Sequence, residues 1–327
     1  MKIILLAFIL SSILSVIFGA IFIPILRKFK ARQTVLKYVE THKGKNGTPT
    51  MGGLFFIVSS CIIFIALGGL NGRIGVVSLC IGLAFMVVGF IDDFIKIKFK
   101  RKEGLTAIQK ILFQTSIAVL AGVFAYLNGL TIFYVPFTKT TIDLGVFSIL
   151  LIVLIFLATT NSVNLTDGLD GLAGNVSVIY LIFISVIISI QINNFKHYYL
   201  DKYEYNNLIL LSTTLIGALF GFLLFNTNKA SVFMGDTGSL SLGGFIAGIS
   251  IFSSNSLFIP LLGITFVCSS VSVILQVARF KKSGKRFFLM APIHHHFQMK
   301  GLSETKIAYL YSFITCIIGA LLVIFYL

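Results

Sequence analysis

Of the eleven Asp and Glu residues in this 327-residue chain, Asp92, Asp93, Asp167, Asp170 and Asp236 all fall where a long apolar run meets a polar loop. An ionisable group at the centre of a membrane helix costs roughly 2.5–3.5 kcal/mol, so five at one kind of boundary call for a function. In "GFIDDFIKIKFKRK", Lys96 follows Asp92 and Asp93 by four and three residues, within reach of both if the helix continues. Adjacent carboxylates repel when both are ionised and can supply a general base, with the lysine holding the charge down. A salt bridge at a helix end is the plainer alternative.

In "NSVNLTDGLDGLAG", Asn161, Asn164, Asp167 and Asp170 recur every third residue, as do Gly168, Gly171 and Gly174. On a helical turn that spacing lines up amides and carboxylates in a strip offering oxygen ligands and hydrogen-bond donors, while glycine lets a backbone come close. A simple Asx-Gly turn explains one Asp-Gly pair, not two with both Asn in phase. In "FNTNKASVFMGDTGSLSLGG", Asp236 sits among Gly235, Thr237, Gly238 and Ser239. It could cap the next helix, or hold Mg²⁺ with phosphate and water completing the octahedron. Phe233 is either core or a stacking surface for a base.

The last polar stretch, "RFKKSGKRFFLMAPIHHHFQMKG", carries His294, His295 and His296 beside five basic residues. Three consecutive histidines cannot all turn to one point on a helix, which argues against a zinc triad and toward contacts with phosphate. In "ETHKGKNGTPTMGGL", Lys45 and the backbone from Gly47 to Gly53 could grip an anion, or could be no more than a loop entering a helix. The four cysteines, Cys61, Cys80, Cys268 and Cys316, lie in apolar runs without CxxC spacing, against both a disulfide framework and zinc.

The elements that must position these groups are helices in a bilayer. The chain is 57% apolar and only 11% charged, with a mean hydropathy of +1.00. Its apolar runs are continuous instead of alternating with period two, which selects a helical bundle over a barrel. The sequence predicts an all-α integral membrane protein of about ten spans, near 3–26, 51–70, 74–93, 111–128, 145–160, 174–192, 207–225, 240–253, 257–277 and 307–326. The first run is too long for a signal peptide and ends in Arg27-Lys28-Phe29-Lys30, so it reads as a retained span. One set of loops, about 27–50, 94–110, 161–173, 226–239 and 278–306, holds all of the 26 basic residues except Lys2, Arg73, Lys139, Lys196 and Lys202. The positive-inside rule places that set in the cytoplasm and both termini outside, in a single integral domain over residues 1–327. The net charge of +15 is thus juxtamembrane, suited to anionic lipid headgroups and not to nucleic acid.

Carboxylates for a hard cation, with lysines and histidines for phosphate charge at a membrane boundary, equip a chain for phosphoryl transfer from a soluble donor to a lipid acceptor. A secondary transporter also carries intramembrane acids, but near the midplane, with inverted repeats or broken helix pairs that this sequence does not display.

Five motifs in order, "GTPTMGG", "DDFIK", "NSVNLTDGLDGLAG", "FMGDTGSLSLGG" and "APIHHHF", resemble the bacterial phospho-N-acetylmuramoyl-pentapeptide-transferase family of the polyprenyl-phosphate N-acetylhexosamine-1-phosphate transferase superfamily. The similarity runs from the first span to the last. It implies Mg²⁺-dependent transfer of phospho-MurNAc-pentapeptide from UDP-MurNAc-pentapeptide to undecaprenyl phosphate, giving lipid I and UMP in peptidoglycan synthesis at the bacterial cytoplasmic membrane. The same resemblance implies Asp92 and Asp93 as the aspartate pair, with Asp92 deprotonating the lipid phosphate, Asp236 as the metal ligand, and His294 as a catalytic histidine flanked by His295 and His296. Asn164, Asp167 and Asp170 match the nucleoside-side motif, Phe233 the aromatic near the uracil, and Lys45 and Lys96 the basic groups of the cleft. Family members are homodimers, and nucleoside antibiotics occupy their uridine site. A GlcNAc-1-phosphate transferase is the neighbouring possibility, against which "APIHHHF" and Lys96 weigh. Two departures from the family pattern are Phe94, where many members have Tyr, and Lys229, where Pro is common.

Overall fold

The computed structural model describes residues 2–28, 47–101, 103–138, 140–194 and 200–326; Lys45, with His42 and Lys43, lies outside the described residues. The helices are α1 (Lys2–Lys28), α2 (Gly53–Ala66), α3 (Arg73–Lys98), α4 (Ala107–Leu127), α5 (Ser148–Thr166), α6 (Leu172–Asn194), α7 (Lys202–Asn226), α8 (Gly235–Phe252), α9 (Ile259–Leu262), α10 (Ile264–Ser283), α11 (Ile293–Met299) and α12 (Glu304–Tyr326). Eight of them, α1, α3, α4, α5, α6, α7, α10 and α12, are long and apolar enough to cross a membrane. The two other expected spans behave differently. The 51–70 run yields a helix of only 14 residues, and the glycine- and serine-rich 240–253 run becomes an 18-residue helix buried along nearly its whole length. The 257–277 run breaks at Gly263 into α9 and α10.

A two-stranded antiparallel hairpin departs from the all-helical expectation: β1 (Ile132–Val135) pairs with β2 (Thr140–Asp143), Ile132 opposite Asp143. Its β-branched and aromatic residues favour a pleated pair, but the run is too short to stand out beside apolar helices.

Buried α7 is the axis of the bundle, enclosed along most of its length. It packs against α1, α2 and α6, while α8 packs between α3 and α5. Lipid tails are as apolar as leucine, so helix contacts rely on close approach and hydroxyl bonds. Accordingly, Ser15 Oγ donates to the Ala218 carbonyl at 2.7 Å, Ser60 Oγ to Thr214 Oγ1 at 2.9 Å, and Ser241 Oγ to the Gly82 carbonyl at 2.8 Å. The hairpin closes one end of the bundle: Tyr134 N–H donates to the Ser254 carbonyl at 2.9 Å, and the Phe137 ring meets Phe325 near the end of α12 at 5.0 Å. The acids gather at the opposite end, where α3, α5 and α7 finish.

At Gly89, α3 passes so near the start of α8 that a Cβ would overlap the backbone carbonyl of Asp236. The neighbouring atoms cannot yield, because they belong to the helix backbone of Asp236 and Thr237. Gly89→Ala is therefore expected to destabilise the protein by about 1–3 kcal/mol and to push Asp236 away from the α3 carboxylates. A lowered thermal midpoint together with reduced activity at permissive temperature checks both effects.

Candidate active site

The last two turns of α3 carry Asp92, Asp93 and Lys96 into the interior, with Asp92 and Asp93 buried. Lys96 Nζ lies 2.6 Å from Asp92 Oδ2 and 3.9 Å from Asp93 Oδ1, the i,i+4 and i,i+3 contacts that the spacing offers. It also reaches Asp236 Oδ2 on α8 at 3.2 Å. A second cation comes from α4: Lys110 Nζ lies 2.6 Å from Asp236 Oδ2 and 3.1 Å from Asp92 Oδ1. The α4 start is set by a capping box in which Gln109 N–H donates to Thr106 Oγ1 and Thr106 N–H to Gln109 Oε1. That box places Lys110 one turn inside the helix, facing the acids. Just before it, Leu105 N–H donates to Asp92 Oδ1 at 2.8 Å, so the α3–α4 loop also fixes that carboxylate.

The two adjacent aspartates have different tasks. Thr237 donates to Asp93 Oδ2 from its N–H at 2.9 Å and from its Oγ1 at 2.7 Å. Asp93 thus caps the first turn of α8 from a neighbouring helix, satisfying an end N–H and opposing the helix dipole. Asp236, in the same turn, caps nothing and points its carboxylate at the two lysines. Asn164 Nδ2 steadies it, donating to Asp236 Oδ1 at 3.0 Å and to Ser239 Oγ at 2.8 Å.

One ligand oxygen from each of Asp92, Asp93 and Asp236 lies within 4.8 Å of the others. Three hard oxygen donors around a point where two ammonium groups converge suit a divalent cation, and they are the only such group among the described residues.

The expected polar strip of 161–170 is divided by the end of α5. Asn161 turns to α4, donating to Gln114 Oε1 at 2.7 Å, while Asn164 meets Asp236. Past the helix, Asp167 faces the cluster without joining it. Loss of water pushes its carboxyl up to about 8, with the Asp236, Asp93 and Asp170 charges adding to the shift, so at pH 7 it is mainly a neutral hydrogen-bond donor. Asp170 braces a second loop, accepting from Ala230 N–H at 3.0 Å. Phe233 is held by its backbone, its N–H donating to Pro49 O at 2.8 Å and its carbonyl accepting from Gly52 N–H at 2.9 Å.

The histidines also separate. His294 is fully buried, and neither ring nitrogen has a hydrogen-bond partner among the described residues. It rests on Gly168, where a Cβ would collide with its Nε2. Burial, with His295 next, holds its pKa well below the usual histidine range, so it is neutral at pH 7 and serves as a donor and acceptor instead of a cation. His296 faces away: its Nδ1 accepts from Leu289 N–H at 3.2 Å and pins the segment before α11.

Of the two departures, Phe94 is 46% exposed and stacks on Phe90, away from the carboxylates. Lys229 has φ +65°, a left-handed value closed to proline, so its loop has a shape of its own. The sequence does not single out Lys110 or Leu105, and Thr237 stands out only as a neighbour of Asp236, not as a donor to Asp93. The Thr-x-x-Gln cap before Lys110 is the visible signal for Lys110.

A bundle of membrane helices carrying an acid cluster for a hard cation at one end belongs to a recognisable class: the Glycosyl transferase family 4 model matches residues 74–254. Within it, the Phospho-N-acetylmuramoyl-pentapeptide-transferase signature 1 matches residues 45–57. A phospho-N-acetylmuramoyl-pentapeptide-transferase of Clostridium botulinum (strain Alaska E43 / Type E3) is 42% identical over 311 residues, covering 93% of this chain and 92% of the relative. One of Caldanaerobacter subterraneus is 42% identical over 321 residues, covering 98% and 97%. One of Helicobacter hepaticus is 40% identical over 315 residues, covering 92% and 88%. The chain belongs to the phospho-N-acetylmuramoyl-pentapeptide-transferase family.

Proposed function

We propose that the protein transfers phospho-MurNAc-pentapeptide from UDP-MurNAc-pentapeptide to undecaprenyl phosphate, releasing UMP and forming lipid I. The observation that carries the reading is the convergence of Asp92, Asp93 and Asp236 with Lys96 and Lys110 at one end of the membrane helices. There a water-soluble donor and a lipid acceptor can meet. Basic loops at that end support a cytoplasmic placement in a bacterial plasma membrane. The eight long helices, with α2 and α8, support ten crossings in one integral domain, both termini outside. Family membership supports a homodimer, and nucleoside antibiotics would compete for the same cleft.

In the reaction, an oxygen of the lipid phosphate forms a bond to the sugar-linked phosphorus, and the bond from that phosphorus to the UMP oxygen breaks, its electron pair leaving with UMP. Asp92 accepts the proton of the lipid phosphate. Asp93 is the weaker candidate, since its Oδ2 is already committed to two donors from Thr237. Asp236 would be the principal Mg²⁺ ligand, with the α3 acids within reach, and the ion would supply charge neutralisation to the phosphates. Lys96 and Lys110 then exchange carboxylate partners for phosphate oxygens. Asn164 keeps Asp236 oriented, His294 offers a neutral donor beside Gly168, and Asp167, Asp170 and Phe233 serve the nucleoside side; the role of Lys45 as a basic group of the cleft rests on the family resemblance alone.

The neighbouring reading, transfer of GlcNAc-1-phosphate, uses the same cluster and is separated by the donor. Purified protein with undecaprenyl phosphate is expected to make a lipid-linked product from UDP-MurNAc-pentapeptide and none from UDP-GlcNAc, by mass spectrometry. The reverse pattern would keep the chemistry and replace the substrate.

A further inference from the structure

Asn161, in phase with Asn164 in the sequence, has no part in the transfer chemistry, and neither has its partner Gln114 on α4. Asn161 Nδ2 donates to Gln114 Oε1 at 2.7 Å and to the Leu157 carbonyl of its own helix at 2.8 Å. Gln114 is fully buried, and its Nε2 has no hydrogen-bond partner among the described residues. A buried donor left unpaired is destabilising, so stability alone would favour leucine at this position. The glutamine calls for another reason.

The amide pair sits one helical turn inside the acid cluster. Lys110 precedes Gln114 by four residues on α4, and Asn164 follows Asn161 by three on α5. Those two residues hold Asp236 by its separate oxygens, Lys110 Nζ at 2.6 Å from Oδ2 and Asn164 Nδ2 at 3.0 Å from Oδ1. Lys110 stands on a helix with little else to seat its start: of residues 107–116, Gln114 alone is buried. Deeper in, α4 buries small residues, with Gly122 against Ile149 of α5. Lipid tails do not drive helices together, so near the acids the directional Gln114–Asn161 bond ties α4 to α5.

We propose that Gln114 is a positioning residue: through its bond to Asn161 it fastens the first turns of α4 to α5 and so holds Lys110 against Asp92 and Asp236, the place from which Lys110 passes to a phosphate oxygen. The local capping box sets where α4 begins but ties it to no neighbour, and Leu105 N–H ties the preceding loop to α3, not to α5. Only the effect on turnover rests on the transferase reading; the hold on Lys110 is a property of the protein alone.

The test is acylation of full-length, detergent-purified protein by isotope-labelled acetic anhydride, without substrate or added metal, resolved lysine by lysine by mass spectrometry. In wild type, Lys110, engaged by two carboxylates and 24% exposed in its side chain, should react slowly. Gln114→Leu should raise its acylation roughly threefold to twentyfold, the range of one interhelical hydrogen bond in a membrane. Lys96, held on α3 by Asp92 and Asp93, should not change. The thermal midpoint of Gln114→Leu should not fall, since the unpaired donor leaves with the bond. Asn161→Leu, which strips the Gln114 amide of its one partner, should lower the midpoint, and the double variant should recover it with Lys110 no freer than in Gln114→Leu. Turnover of UDP-MurNAc-pentapeptide should fall by a factor similar to the gain in acylation. If Gln114→Leu does not fold, Gln114→Met, unbranched and without an amide, carries the same expectation. Unchanged acylation of Lys110 in a folded variant, or a rise at Lys96 in step with it, overturns the proposal, as does undiminished turnover with Lys110 freed. Wild type that leaves the muramoyl donor unused, while the variants free Lys110 as expected, overturns the functional reading and leaves the tether standing.

Discussion

Asp236→Asn is expected to lower turnover about a thousandfold in a protein that still folds. The substitution keeps shape and an oxygen able to accept from Asn164, so the packing of α8 against α3 survives. What it removes is the negative charge at the point where Lys96 and Lys110 converge, at 3.2 and 2.6 Å from one oxygen. With three carboxylates reduced to two and both ammonium groups retained, a divalent cation loses its most accessible ligand and the net negative charge of the cluster that attracts it. The check is UMP release by a monodisperse variant with unchanged helical signal, over a range of Mg²⁺ concentrations. A wild-type rate would remove Asp236 from the metal site.

Asp92→Asn is expected to reduce turnover on the order of a hundredfold to ten-thousandfold, the range for loss of a general base. An amide can still accept from Leu105 N–H, so the α3–α4 loop should stay in place. The matched variant Asp93→Asn separates the two acids, because Asp93 caps the first turn of α8 and its loss should lower the thermal midpoint more than Asp92→Asn does. Equal loss of activity and of thermal midpoint in both variants would mean that the pair acts together as a structural brace. A lipid phosphate supplied fully deprotonated, at higher pH, should restore part of the rate to Asp92→Asn only, since that variant alone lacks the proton acceptor.

Much of this site was legible because it is local. Asp92, Asp93 and Lys96 lie on consecutive turns of one helix, where spacing alone places them together. Asn164 and Asp236 stood out as amide and carboxylate in glycine-rich breaks between apolar runs. The strip beginning at Asn161 was only partly a strip, since α5 ends at Thr166 and later residues follow a turn. Lys110 was hidden for a different reason: it reaches Asp236 only because the α3–α4 loop folds back onto Asp92, a contact between elements that periodicity does not encode. The capping of α8 by Asp93 is likewise tertiary. Within the histidine run, His294 and His295 bring their Nε2 atoms to the Gly168 turn while His296 spends its Nδ1 on Leu289, a division that spacing alone does not encode; burial keeps His294 neutral. In the fold, hydropathy located the long helices but could not distinguish a lipid-facing span from the enclosed α8, nor detect a four-residue strand.

The most direct test of the central claim, that this acid cluster holds the cation on which transfer depends, is UMP release by detergent-purified protein given UDP-MurNAc-pentapeptide and undecaprenyl phosphate, with Mg²⁺ or with a chelator. The expected result is one UMP per lipid-linked product with Mg²⁺ and none with chelator, restored on adding Mg²⁺ back. UMP release at an undiminished rate in chelator, or no release under either condition, would contradict it.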